Sequence, residues 1–212
     1  MAGLSRHNVI KKMEVKSNRL DTITIAKIAI LAAAAALLML LEIPLFFVPG
    51  FYKLDFSEVA VLLGAFSMGP VAGIVIEAVK ILINFFIDGS LTAGIGELAN
   101  FLIGCSFIVP AAVIYNKNKT RKNAVTGLIA GTVIMVIFSA LMNVYVLLPV
   151  YAAAFKMPMD AIVQMGTKVN SKITDLYSFI LLATVPFNIL KGVLSSLITV
   201  GIYKKLSPIL HR

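Results

Sequence analysis

The chain has 212 residues, 59% of them hydrophobic and 14% charged. A soluble domain carries about 25% charged residues, so the composition excludes one and points to an all-α, polytopic membrane protein. The formal net charge of +9 sits in clusters suited to setting topology, and no nucleic-acid partner is expected.

Residues 1–21 form a basic tail containing Arg6, Lys11, Lys12, Lys16 and Arg19. The tail is too long and polar for the n-region of a cleavable signal peptide. It reads as a cytoplasmic topology signal, with a lipid or partner contact as the other reading. The membrane domain is expected over 22–206, followed by a short tail at 207–212.

The first apolar segment covers 22–41. Within it Ala29 and Ala33, and also Ala32 and Ala36, recur four apart. Residues at that spacing share a helix face, and small ones let a second helix approach closely. That helix belongs either to this chain or to a partner.

A charged aromatic loop follows, with Tyr52, Lys53, Leu54, Asp55 and Phe56, then Glu58. It is either a plain connection or a cover for a flat ligand. As a cover, Leu54 and Phe56 alternate towards the ligand while Asp55 turns to water or to Lys53. The second segment, 57–67, is short for a span and is broken by Gly69-Pro70. The third covers 71–87 and carries Glu77 and Lys80, three apart and expected to pair. Asn84 lies further along it. The fourth covers 96–115, with Glu97, Asn100 and Cys105. A single cysteine excludes an internal disulfide framework, and inside an apolar run it reads as a small buried residue.

Residues 116–122 join segments four and five with four cations and no acid. The positive-inside rule puts this loop, the N-terminal tail and Lys204, Lys205 and Arg212 in the cytoplasm. Six spans satisfy that arrangement and five do not. The expected fold is therefore a six-transmembrane-helix bundle with both termini cytoplasmic. Residues 46–57, 88–96 and 151–174 then face outward as loops.

The fifth segment covers 124–150 and carries Asn143. The sixth lies within 176–206 and carries Asn188 and Lys191, three apart on one side of a helix. Pro186 either kinks this helix or sits in its first turn. Ionisable groups at mid-membrane cost roughly 2.5–3.5 kcal/mol, so they face a cavity or a partner. Amides supply both a donor and an acceptor, as a heterocycle edge requires. Hydrogen bonding between helices is the alternative for each asparagine.

The ordered strings Lys53-Leu-Asp-Phe-Ser-Glu58, Gly69-Pro-Val-Ala-Gly73, Glu97-Leu-Ala-Asn-Phe-Leu-Ile-Gly104, Leu147-Leu-Pro-Val-Tyr151 and Pro186-Phe-Asn-Ile-Leu-Lys-Gly192 resemble the riboflavin-specific substrate-binding component of energy-coupling factor transporters. The resemblance runs from about residue 24 to 205. It implies a six-helix fold in the bacterial plasma membrane with an outward vitamin pocket. It also implies a transmembrane coupling subunit and two ATPase subunits as partners. Riboflavin, or its phosphate FMN, would be transported cargo, with no cofactor or metal.

By the same resemblance Asn143, Asn188 and Lys191 contact the flavin, with Leu54, Asp55 and Phe56 closing over it. Ala29 and Ala33 meet the coupling subunit. Asn84, Glu97 and Asn100 are candidates for the ribityl hydroxyls. No phosphate loop, zinc-protease helix or nucleophile elbow occurs in the sequence, so neither ATP hydrolysis nor enzyme activity is expected of this chain. A stand-alone secondary carrier for a flavin or another small heterocyclic vitamin is the alternative, with Glu77 and Lys80 as its proton relay.

Overall fold

The computed structural model describes residues 22–90 and 92–210, with side chains described as far as Tyr203. The basic N-terminal tail and Arg212 lie outside the described residues, as do the side chains of Lys204 and Lys205.

Helix α1, Thr22–Leu40, is apolar apart from Thr22, Thr24 and Lys27 and ends shortly before Glu42. The loop between residues 41 and 56 then folds back as a short antiparallel ribbon. Its strand β1, Ile43–Pro44, pairs with β2, Lys53–Leu54, in the register Ile43 to Leu54. Helix α2, Ser57–Met68, ends where Gly69 adopts φ +100°, a conformation that favours glycine. Pro70 opens α3, Pro70–Asp88, at a position where its missing N–H costs no helix bond. Helix α4 is Ile95–Lys117, and α5 starts at Arg121 after a Thr120 cap whose side chain accepts from the Asn123 N–H.

Among the described residues five helical stretches are long and apolar enough to cross a membrane: Thr22–Leu40, Pro70–Asp88, Ile95–Lys117, Arg121–Ala154 and Leu176–Tyr203. Helix α2 is apolar but has 12 residues, about 18 Å against a core of about 30 Å. It is buried on nearly every side, so it is an inner member of the bundle.

The two longest stretches share one device. Helix α5, Arg121–Met142, passes through a π turn at Asn143–Leu147 into α6, Leu148–Ala154. The last stretch starts as α8, Leu176–Phe179, passes through a π turn at Ile180–Thr184, and continues as α9, Val185–Leu210. In both, a proline stands two residues after the wide turn, Pro149 and Pro186. Proline lacks an N–H and its ring crowds the carbonyl four residues earlier. A widened turn relieves that crowding and lets the helix run on. The last helix reaches Leu210, so it continues past 206 through part of the expected C-terminal tail.

Residues 151–174 are not simply an outer loop. Helix α6 extends to Ala154, and a short helix α7, Met159–Thr167, buries Ile162, Val163 and Gly166. Ile162 and Val163 lie four and three residues before Gly166, on one face of this helix, which starts directly after Pro158.

The interior divides in two. One core gathers α1 to α5 around Phe66, Phe107 and Tyr115, towards the end that carries the 116–122 loop. There α4 and α5 pack backbone to backbone: a Cβ at Gly127 would stand 2.6 Å from the Ala111 carbonyl oxygen, and one at Gly131 would strike that of Phe107. The second core joins Val48 and Leu54 of the loop before α2 to Ile162, Ile173, Phe179 and Phe187. It closes the opposite end.

Candidate ligand cavity and its buried ion network

Between the two cores lies a cavity of about 510 Å³. It opens at the end away from the 116–122 loop. Its apolar wall includes Met39, Met135, Leu147, Leu148, Met157, Ile162 and Phe187. Its polar lining includes Asp55, Asn84, Glu97, Asn100, Asn143, Asn188 and Lys191. Residues from α1, the loop before α2, α3, α4, the α5–α6 stretch, the α7 region and α9 therefore converge on one space.

Asn143 and Asn188 are both buried. Asn143 Nδ2 donates to the Ser139 carbonyl at 2.8 Å, and its Oδ1 accepts from the Tyr52 hydroxyl at 3.0 Å. Asn188 Nδ2 donates to the Thr184 carbonyl at 2.9 Å, a bond that does not use its amide oxygen. Asn84 and Asn100 line the cavity from α3 and α4. Glu97 accepts from the Thr92 hydroxyl at 3.0 Å.

The charged residues form a chain. Lys191 Nζ lies 2.9 Å from Asp55 Oδ2 and 3.6 Å from Glu58 Oε1. Lys80 Nζ lies 3.1 Å from the same Glu58 oxygen and 2.7 Å from Glu77 Oε1. It also donates to Ser57 Oγ at 3.1 Å. Three carboxylates thus share two lysines, all buried. Charges this deep are tolerated because each is paired. The Glu77–Lys80 pair expected from spacing is present, but Glu58 joins it.

Asp55 departs from expectation. It does not turn to water or to Lys53; it is buried, with its carboxylate on Lys191 and Ser57. Burial alone would raise its pKa. The nearby Lys191 and Lys80 charges and the Ser57 hydrogen bonds outweigh burial and hold it at about 2. Lys53 instead pairs with Glu42 on the surface.

Leu54 and Phe56 are not part of the cavity lining. Leu54 is buried and Phe56 half-buried in the second core, against the residues that carry the loop. Leu54 and Phe56 therefore hold the loop in place, while Tyr52, Lys53 and Asp55 from the same loop line the cavity.

Ala29 and Ala33 are exposed on α1, whereas Ala32 and Ala36 are buried against the bundle. The two alanine pairs therefore serve opposite faces. Cys105 is half-buried rather than fully enclosed. Among the described residues no cluster of His, Cys, Asp and Glu could hold a metal ion.

Sequence reasoning missed Thr184, Tyr151 and Phe187 as part of the site. Thr184 and Phe187 flank Pro186 and Asn188, so the proline marked the neighbourhood. The π turn that brings Thr184 round to Tyr52 has no simple periodic signal.

The model of the family "ECF transporter, substrate-specific component" matches residues 23–203. The chain belongs to this family. It is 35% identical to the riboflavin transporter RibU of Staphylococcus aureus (strain TCH60) over 95% of this chain and 97% of that protein. It is 31% identical to the riboflavin transporter FmnP of Bacillus subtilis (strain 168), over 85% of this chain and 90% of that one. A solved structure of the S component of a bacterial ECF transporter matches with a TM-score of 0.70 at 34% identity. That match covers 89% of this chain and 98% of the solved chain. The chain is thus a multi-pass protein of the bacterial cell membrane and a substrate-specific transport component, not an enzyme.

Proposed function

We propose that this S component captures riboflavin with high affinity at the outer face of the membrane. It then works with a transmembrane coupling subunit and two ATPase subunits that supply the energy for uptake. The observation that carries the reading is the cavity: about 510 Å³, within the range of about 300–1,000 Å³ used for small ligands. Its aliphatic and aromatic walls suit the faces of an isoalloxazine ring. Asn143, Asn188 and Lys191 offer donors and an acceptor for the polar pyrimidine edge, and Asn84, Glu97 and Asn100 suit ribityl hydroxyls. The relatives named as riboflavin transporters support the same cargo.

We read α2 as the sixth member of the bundle, enclosed by the five long stretches, with both termini and the 116–122 loop cytoplasmic. The exposed Ala29 and Ala33 suit a close contact with the coupling subunit. FMN, which has the same ring and ribityl chain with an added phosphate, is the competing ligand.

Protein purified from riboflavin-containing medium should carry a flavin absorption spectrum. Vesicles should accumulate riboflavin only when the coupling subunit, both ATPases and ATP are present. Accumulation by this chain alone, driven by a proton gradient, would establish the secondary-carrier alternative instead.

A further inference from the structure

We propose that Tyr52 is a positioning residue for flavin recognition, acting through Asn143. The proposal rests on the riboflavin reading above and adds a residue that fixes which way the amide faces.

The hydrogen-bond directions are forced. A backbone carbonyl only accepts, so the Ser139 oxygen at 2.8 Å requires the Asn143 amino group on its side. The Asn143 oxygen then faces the Tyr52 hydroxyl at 3.0 Å. That oxygen has no proton, so Tyr52 donates. Its one proton is then used, and Thr184 Oγ1 must be the donor in the 2.8 Å contact with the Tyr52 oxygen. The result is a one-way chain from Thr184 to Tyr52 to Asn143 to the Ser139 carbonyl. Burial raises the Tyr52 phenol above its ordinary pKa, more than the Thr184 hydrogen bond lowers it, so it keeps the proton the chain needs.

The chain also joins three elements. Tyr52 comes from the loop before α2, Asn143 opens one π turn and Thr184 ends the other. Thr184 further accepts Asn188 Nδ2 on its carbonyl. The Tyr52 ring is packed on Phe187, with centroids 5.0 Å apart, and on Phe179 at 6.4 Å. These contacts aim the hydroxyl without using it. With Tyr52 in place, Asn143 keeps one amide hydrogen to offer a ligand acceptor. Without the hydroxyl the amide oxygen loses its donor, and the two ends of the amide lose their assigned sides.

The test is Tyr52→Phe, which keeps the ring contacts. Riboflavin affinity should fall roughly three- to tenfold, the size of one buried hydrogen bond. The same substitution in an Asn143→Ala background should change affinity less than about twofold, because residues acting as a unit are not additive. An equal loss in both backgrounds, or no loss in either, overturns the proposal. Should the double variant bind too weakly to titrate, the flavin spectrum of saturated Tyr52→Phe decides. A band displaced from that of wild type supports the proposal, and an unchanged band overturns it. Failure of the wild-type protein to bind riboflavin would overturn the functional reading instead.

Discussion

Lys191 Nζ and Asp55 Oδ2 lie 2.9 Å apart although 136 residues separate them in the chain. This contact ties the loop before α2 to the last helix in the lining of the cavity. Both groups are buried, so removing one leaves the other a buried charge with a poorer partner. For Lys191 that partner would be Glu58 at 3.6 Å. Breaking a buried pair costs about 3–5 kcal/mol. Asp55→Asn is expected towards the lower end, about 3 kcal/mol, because Glu58 still shares the charge. Thermal unfolding in detergent would measure it.

The same pair sets a pH dependence. The Asp55 carboxyl is held at about 2, below its ordinary 3.8. A folded-state value below the unfolded one gives stability that is present above the unfolded value. That stability is lost as pH falls through the folded value. Asp55 therefore contributes about 2 kcal/mol above roughly pH 4, and loses it towards pH 2. The stability gap between wild type and Asp55→Asn should be constant from about pH 5 to 7 and narrow below about pH 4. A gap that stays constant down to about pH 2 would show that Asp55 does not titrate with the fold.

The buried charges also explain a glycine. A Cβ at Gly104 would stand 2.5 Å from Glu77 Oε1 and 3.3 Å from Glu58 Oε1. Both acids are held by Lys80, so neither carboxylate can swing aside without losing its partner. Gly104→Ala is expected to destabilise the protein by about 1–3 kcal/mol, the range for overpacking. A stability equal to wild type would mean that the Glu77 side chain is free to relocate.

Much of this site was legible in the sequence because polar and charged groups in an apolar chain are costly wherever they are placed. Asn143, Asn188 and Lys191 stood out for that reason, and the structure brings them to one cavity. Glu77 and Lys80 were readable as a pair from their spacing. Asp55 was not, because its partner is far away in sequence and the alternation of a loop cannot tell a buried ion pair from a solvated one. The helical segments were legible from apolar runs ended by Gly, Pro and charge. The two π turns were marked only by Pro149 and Pro186, and a proline in a long helix is compatible with a kink, a start or a widened turn. Helix α7 escaped because it is short, with only one apolar face.

Asn188 is the sharpest test of the cavity. Replacing it by Leu keeps its approximate size but removes both the donor to Thr184 and the amide oxygen. Loss of a buried hydrogen bond to a ligand edge costs about 1–3 kcal/mol, or roughly five- to 150-fold in affinity. Flavin titration of folded Asn188→Leu should show this loss. Unchanged binding would remove Asn188 from the contact set.

Ala29 and Ala33 face outward on α1, while the bundle packs on Ala32 and Ala36. Ala29→Leu with Ala33→Leu should therefore spare flavin binding and stability. If this face meets the coupling subunit, the added bulk separates the two helices, and co-purification and uptake are lost. Normal assembly and uptake would leave the face to lipid.

The loop before α2 yields a kinetic prediction. Tyr52, Lys53 and Asp55 line the cavity, while Leu54 packs into the second core and Phe56 supports it. Release of an enclosed ligand requires these lining residues to move. Loop motion in turn requires Leu54 and Phe56 to leave their packing. Leu54→Ala with Phe56→Ala removes much of that apolar burial and lowers the cost of opening, since large-to-small changes of buried side chains cost about 2–5 kcal/mol. Capture begins from the more open state, so it gains little. Flavin release should therefore accelerate at least tenfold, with the rate of capture changed far less. The Lys53–Glu42 pair is exposed, and such pairs contribute about 0–1 kcal/mol. Lys53→Ala should consequently alter release by less than about fivefold, and by less still at high salt. Stopped-flow flavin fluorescence reads both rates. An unchanged release rate in the double variant would mean that the loop does not control exit from the cavity.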